Sequence, residues 1–139
     1  MIILDTNVLS ELMRPAPAAS VVRWVAALPA TSVYTTSITQ AEILHGLMLL
    51  PTGRRRNALE VAAKALFDQD FGGRVLSFGS DAAHAYARIA AERRRAGRPI
   101  SQFDAQIAAI AHSAGAAVAT RNVADYDATG VQVINPWNA

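Results

Sequence analysis

Short apolar runs alternate with helical stretches along this chain, and that alternation constrains its fold more than any other feature. Met1-Ile2-Ile3-Leu4 reads as a brief buried strand, and Ser32–Thr36, rich in β-formers, as the next. Val75–Phe78, Ala116–Ala119 and Val131–Ile134 are read as the remaining strands. Between them, apolar residues recur at helical spacing. A first helix starts after Asn7 and stops near Arg14-Pro15-Ala16-Pro17; a second fits Ser20 to Leu28. Further helices run from about Gln40 to Leu50, ended by Pro51 and Gly53, and from about Arg54 to Phe67. Asp81 to Ala96 is closed by Gly97 and Pro99, and Gln102 to Ala114 by Gly115. Strands separated by helices predict a mostly parallel sheet covered on both faces. The expectation is one three-layer α/β/α domain over residues 1–139, with about five strands.

Composition narrows the class. Hydrophobic residues make up 52% of the chain and charged residues 17%, which excludes disorder. The absence of cysteine excludes disulfides and thiolate metal sites and is compatible with a cytoplasmic protein. The apolar start is broken at Asp5 and lacks a basic leader, so no signal peptide is expected. The uncharged stretch Ala105 to Thr120 is too short and too polar for a membrane span. The net charge is only +2, but its basic side is almost all arginine, in Arg54-Arg55-Arg56 and in Arg93-Arg94-Arg95 with Arg98 behind it. Arginine forks match phosphate oxygens, so such clusters suit a nucleic-acid backbone; they also suit a solvated helix face.

In an open α/β sheet, ligands gather beyond the carboxyl ends of the strands. Few acids fall at such edges. Asp5 follows the first strand, Glu42 follows Ser32–Thr36, and Asp104 opens the alanine-rich helix. Asn122 and Asp125 follow Ala116–Ala119. Each acid has a plainer alternative. Asp5 or Thr6 suits a helix cap, while Thr39-x-x-Glu42 and Ser101-x-x-Asp104 match the capping box. The number of them argues for more than caps, because like charges converging on one spot repel unless a cation joins them. Oxygen ligands without cysteine or paired histidine suit a hard cation such as Mg²⁺ or Mn²⁺. Gly46, one turn beyond Glu42, reads as a close approach of its helix to the first strand.

Other chemistries lack their parts. There is no Gly-x-x-x-x-Gly-Lys-Ser/Thr loop and no Gly-x-Ser-x-Gly elbow. Asn7 stands where an aspartyl phosphatase needs its second acid, and His45, His84 and His112 lack metal-ligand spacing.

Taken in order, Leu4-Asp5-Thr6-Asn7, Thr39-x-Ala41-Glu42-x-x-x-Gly46, Asp104 with Ile107-Ala108-Ala109, Ala119-Thr120-Arg121-Asn122 and Val133-Ile134-Asn135-Pro136-Trp137 resemble the PIN domains of VapC- and FitB-type toxin nucleases. The resemblance covers the whole chain. It implies a Mg²⁺- or Mn²⁺-dependent ribonuclease, the toxin of a toxin–antitoxin pair, forming a homodimer and held by a small cognate antitoxin. It implies Asp5, Glu42 and Asp104 as metal-binding acids, with Thr6, Thr120 and Asn122 completing the catalytic set. The family's fourth acidic position is often Asp; here it is Asn122, with Asp125 the alternative. Arg93, Arg94, Arg95 and Arg121 are the candidates to hold RNA phosphates. A competing reading, favoured only by Asn122, is an RNA-binding or regulatory PIN module with little turnover.

Overall fold

A computed structural model describes all residues from Met1 to Ala139. Five parallel strands form one sheet in the order β3-β2-β1-β4-β5. They are β1 (Ile2–Leu4), β2 (Val33–Thr36), β3 (Val75–Leu76), β4 (Ala117–Ala119) and β5 (Val133–Ile134). The helices are α1 (Thr6–Leu12), α2 (Ala19–Ala26), α3 (Ser37–Met48), α4 (Arg54–Ala65), α5 (Ser80–Arg95) and α6 (Gln102–Ala114).

Strand alternation builds the three layers. On β1, Ile3 enters a core cluster with Ile89 of α5 and Ile107 to Ala111 of α6. Its neighbour Leu4 enters the opposite cluster with Val8, Leu9, Val21, Ile43 and Phe67. On β4, Val118 and Ala119 divide in the same way. Successive side chains on a strand face opposite sides, so two adjacent apolar residues suffice to serve both helical layers. The alanines of α6 permit close packing: Ala105, Ala108, Ala109 and Ala111 are all buried. None of the helices is long and apolar enough to cross a membrane.

Several boundaries moved from expectation for local reasons. Helix α3 begins at Ser37 rather than near Gln40, because the Thr36 hydroxyl accepts the Thr39 N–H at 3.1 Å and caps it. A π-helical turn, Leu66–Asp70, continues beyond α4. The last strand is limited to Val133–Ile134, paired with Val118 and Ala119.

Gly46 is a correction. A Cβ there would meet nothing within 4 Å, so the glycine marks no close approach to β1. It lines an open groove with Met13, Ile43, Leu47 and Leu59.

The strand order creates a switch point. From β1 the chain builds outward through β2 and β3, then returns to place β4 on the other side of β1. Beyond the carboxyl ends of β1 and β4 the connections diverge and leave a crevice. Asp5 and Thr120 are the first residues past those two ends.

Candidate active site

Asp5 is held more tightly than any other acid in the chain. It is only 4% exposed. Its backbone N–H continues the sheet by donating to the Ala119 carbonyl at 2.9 Å. Its Oδ1 accepts the Thr6 N–H at 2.8 Å, so it does cap α1, as the plainer reading held. Its Oδ2 accepts the Thr120 hydroxyl at 2.8 Å and faces the Asn7 amide at 3.4 Å. The cap and the cleft position are therefore one arrangement. Burial pushes the Asp5 carboxyl above its ordinary pKa; the bonds from Thr120 and Thr6 oppose this, and the charge of Asp125 adds to it.

Glu42 is half-buried on α3 and serves no capping box. Thr36, not Thr39, is the cap. The Glu42 carboxylate instead accepts the Thr6 hydroxyl at 2.8 Å, and that hydroxyl lies 3.0 Å from the Thr39 hydroxyl. Burial again pushes its pKa up, reinforced by the charges of Asp5 and Asp104 and opposed by the Thr6 bond. Asp104 is different. Ser101 caps α6, its hydroxyl accepting the Asp104 N–H at 3.2 Å, but the Asp104 carboxylate looks into the cleft. Its pKa is raised by burial, then by Asp5 and Asp125, with Ser101 and Arg93 acting the other way.

The cleft is open and of ≈ 570 Å³. Asp5, Glu42, Asp104 and Asp125 all line it, with Thr6 and Asn122. Asn122 and Asp125 are joined by a single 3-10 turn in which the Asp125 N–H donates to the Asn122 carbonyl at 3.1 Å, so one loop presents both. Thr120 lies beneath as a fully buried support: it donates to Asp5, and its oxygen accepts the Asn122 N–H at 3.1 Å.

Four residues that shape this site were absent from the candidates. Asn7 staples α1 to the loop after β4: its amide donates to Thr120 at 3.0 Å and its oxygen accepts the Arg121 N–H at 3.0 Å. Thr39 sits under Thr6. Tyr126 is 1% exposed, and its hydroxyl meets no partner at full hydrogen-bond geometry, although it lies near enough to Asp5 to favour that residue's ionised form. Burial, together with the surrounding carboxylates, pushes its own pKa far up, so it stays a protonated phenol. Trp137 forms part of the rim, its ring under the Arg121 guanidinium at 5.1 Å. Asn7 was legible in the opening motif and Thr39 in the motif around Glu42, where it read as a cap; Tyr126, which acts across the fold, carried no local signal.

The arginine cluster divides. Arg93 is 6% exposed, and three of its guanidinium N–H groups are given to backbone carbonyls. It donates to the Arg98 carbonyl at 2.7 Å, to Asp125 at 3.0 Å and to Asp127 at 2.8 Å. It is a buried clamp on the segment carrying Asp125 and Tyr126, turned inward rather than offered at the surface as the sequence expectation had it. Arg94 and Arg95 remain exposed at the end of α5, and Arg121 is exposed on the rim.

Could these residues hold a cation? The donors are all oxygen, and each of the three central carboxyls is held above its ordinary pKa by burial. That is an electrostatic deficit that positive charge relieves. No three acidic or histidine side chains are gathered into a ready cage, however. This suits Mg²⁺, which keeps several waters and takes only one or two carboxylates directly.

Oxygen-only acids, buried or half-buried at the switch point of a parallel sheet, define a class of α/β domain with an acidic cleft at the carboxyl edge of its strands. The chain belongs to the PIN-domain family, whose profile matches residues 2–129. It is 42% identical over its full length to the whole of the plasmid stability protein StbB of Pseudomonas syringae pv. tomato. It is 39% identical, over 99% of its length and 98% of the relative, to the VapC ribonuclease Y4jK of Sinorhizobium fredii. Among solved structures it superposes on a chain of FitAcB from Neisseria gonorrhoeae with a TM-score of 0.90 and 38% identity, covering 100% of each chain.

Proposed function

We propose that this protein is a Mg²⁺- or Mn²⁺-dependent ribonuclease, the toxin of a toxin–antitoxin pair, which hydrolyses RNA phosphodiester bonds by in-line attack of water. The observation that carries the reading is the convergence of Asp5, Glu42 and Asp104 on one open cleft beyond β1 and β4. Full-length similarity to a VapC ribonuclease supports the choice of RNA.

Asp5, Glu42 and Asp104 are the residues to hold the ion. When bound, it supplies positive charge against the phosphodiester in the transition state and lowers the pKa of the attacking water. The chain's own contribution is orientation. Thr120 and the Thr6 N–H fix the two oxygens of Asp5, and the Thr6 hydroxyl fixes Glu42. Such supporting bonds set ligand geometry and are worth roughly 10- to 100-fold in affinity or activity. Asp104 enters from the opposite side, on the first turn of α6. Arg121, Arg94 and Arg95 are left to hold phosphates flanking the scissile one, giving affinity without sequence choice. Hydrolysis of this kind leaves a 5′-phosphate.

The partners follow from the same reading: an RNA substrate, a second copy of the chain, and a small antitoxin whose arginine can enter the acidic cleft by charge-assisted bonds. The superposed relative is itself named as the assembly FitAcB. Asn122 favours the alternative of a weakly catalytic RNA-binding module, since it brings no charge. Asp125 on the same turn counters it by restoring a carboxylate to that side.

The test is cleavage of a loop-containing RNA by the purified protein in Mg²⁺ or Mn²⁺. Asp5→Asn is expected to lose at least about a hundredfold in turnover while keeping its fold. A variant that cuts RNA as well as the parent overturns the reading.

A further inference from the structure

Arg121 shares its cleft with five carboxylates and pairs with none. It makes none of the chain's salt bridges, which involve Arg14, Arg56, Arg88 and Arg98. Of the five, Glu11 is paired with Arg14, while Asp5, Glu42, Asp104 and Asp125 have no salt-bridge partner in the cleft. A guanidinium free to swing inward would be drawn to them and would compete with a cation. Two contacts hold it out. Its backbone N–H is tied to Asn7 at 3.0 Å, and its guanidinium carbon lies 5.1 Å from the centroid of the Trp137 ring.

Trp137 is itself anchored. Its backbone N–H donates to the Asn135 Oδ1 at 2.9 Å, Pro136 before it is buried, and the indole packs against the core cluster containing Leu4 and Ala119. It is the one hydrophobic residue lining the cleft. Stacking engages only the face of a guanidinium, leaving its edge N–H donors free for a planar fork of oxygens. An arginine held by the face, without a carboxylate, at the rim of an acidic cleft suits an incoming anion rather than an internal ion pair.

We propose that Trp137 is a positioning residue: its ring parks the Arg121 guanidinium at the rim, out of reach of the catalytic acids, with its donors presented to an RNA phosphate next to the scissile one. The inference rests on the nuclease reading for its substrate but makes a separate claim about how that substrate is gripped.

The experiment is a double-mutant cycle on Trp137→Leu and Arg121→Gln, using an RNA oligonucleotide. Cleavage and equilibrium binding are both measured, the latter with Ca²⁺ replacing Mg²⁺ and over a range of salt. Each single change is expected to raise KM and Kd by about three- to tenfold with kcat within about twofold. Each should reduce the salt slope of binding by roughly 0.7, one single-strand phosphate contact. The double variant should be no worse than either single one, and Trp137→Phe, which keeps a ring, should recover most of the loss. Indole fluorescence of the parent should change on adding RNA, and this change should disappear in Trp137→Phe and shrink in Arg121→Gln. Additive effects, or Trp137→Phe as poor as Trp137→Leu, overturn the proposal. If Trp137→Leu fails to melt cooperatively, Arg121→Gln and Trp137→Phe decide, and an unchanged Kd and salt slope in Arg121→Gln overturns it. A parent without Asp5-dependent cleavage sinks the nuclease reading alone, because the binding arms still test the grip.

Discussion

On one wall of the cleft, Asp5, Thr6, Thr39, Glu42 and Thr120 are tied to one another across β1, α1, α3 and the end of β4. On the other, Arg121, Asn122 and Asp125 stand exposed on a single loop and 3-10 turn. The first wall is preorganised: its hydroxyls aim carboxylates that burial has made costly to ionise. The second gets its order at one remove, from Arg93 gripping the carbonyls of Asp125 and Asp127 and from Trp137 under Arg121. The difference separates chemistry from grip. Carboxylates meant for a cation must be fixed before it arrives, whereas groups meeting a flexible polyanion need reach and free donors.

The largest expected contrast, between the three central acids and the exposed loop, is in turnover. Asp104→Ala should cost at least about a hundredfold in kcat, as loss of a group facing the reacting phosphate does. Asp125→Ala should cost less than about tenfold, as loss of a group acting through water or through its neighbours. Steady-state cleavage of one RNA by both variants measures this, and equal losses would erase the distinction.

Next comes the hidden support of the exposed wall. Arg93→Gln leaves a buried position without the guanidinium that ties the carbonyls of Arg98, Asp125 and Asp127 together, and should lower unfolding free energy by about 2–4 kcal/mol. Arg94→Gln and Arg95→Gln should leave the urea midpoint unchanged. Denaturation curves for the three variants check it. A harmless Arg93→Gln would return that residue to the RNA-facing cluster.

The smallest effect concerns pH. Asp5, Glu42 and Asp104 have folded pKa values raised above those of the unfolded chain, so the cation-free folded state binds more protons between the two. Their contribution therefore favours folding more as pH falls from neutrality through the raised values, and levels off below the ordinary carboxylate range. Without divalent ions, the parent should melt higher near pH 5.5 than near pH 7.5, by about a few degrees. Asp5→Asn should flatten that trend, and Mg²⁺ should reverse it by stabilising the ionised form. A parent that melts lower at the acidic pH contradicts the burial of these acids.

The buried wall was the more legible in sequence. Asp5, Glu42 and Asp104 each follow a strand end or open a helix, and the βα order alone brings such positions to one edge. Their supports were harder to see. Thr39 looked like a cap because Thr36, three residues earlier, offered the same chemistry, and only the backbone geometry selects between them. Arg93 was hidden by company: three successive arginines look alike in charge. The clue was helical spacing, since Ala82, Ala85, Ile89 and Arg93 form one buried stripe on α5. Tyr126 is placed by tertiary packing from a turn without periodicity, so no local pattern marked it, and Trp137 was visible only as the end of the Val133–Trp137 motif, with nothing to show its contact with Arg121.

In the proposed function the carboxylates share one cation. Three negative charges offset a single Mg²⁺ with charge to spare but not two, and Asn122 adds a carbonyl oxygen without charge. Calorimetric titration of the RNA-free protein with Mn²⁺, beside Asp5→Asn and Asn122→Asp, tests this directly. One well-occupied site is expected in the parent, its loss in Asp5→Asn, and tighter binding in Asn122→Asp. Two tight sites in the parent, or Mn²⁺ binding that survives Asp5→Asn unchanged, would contradict it.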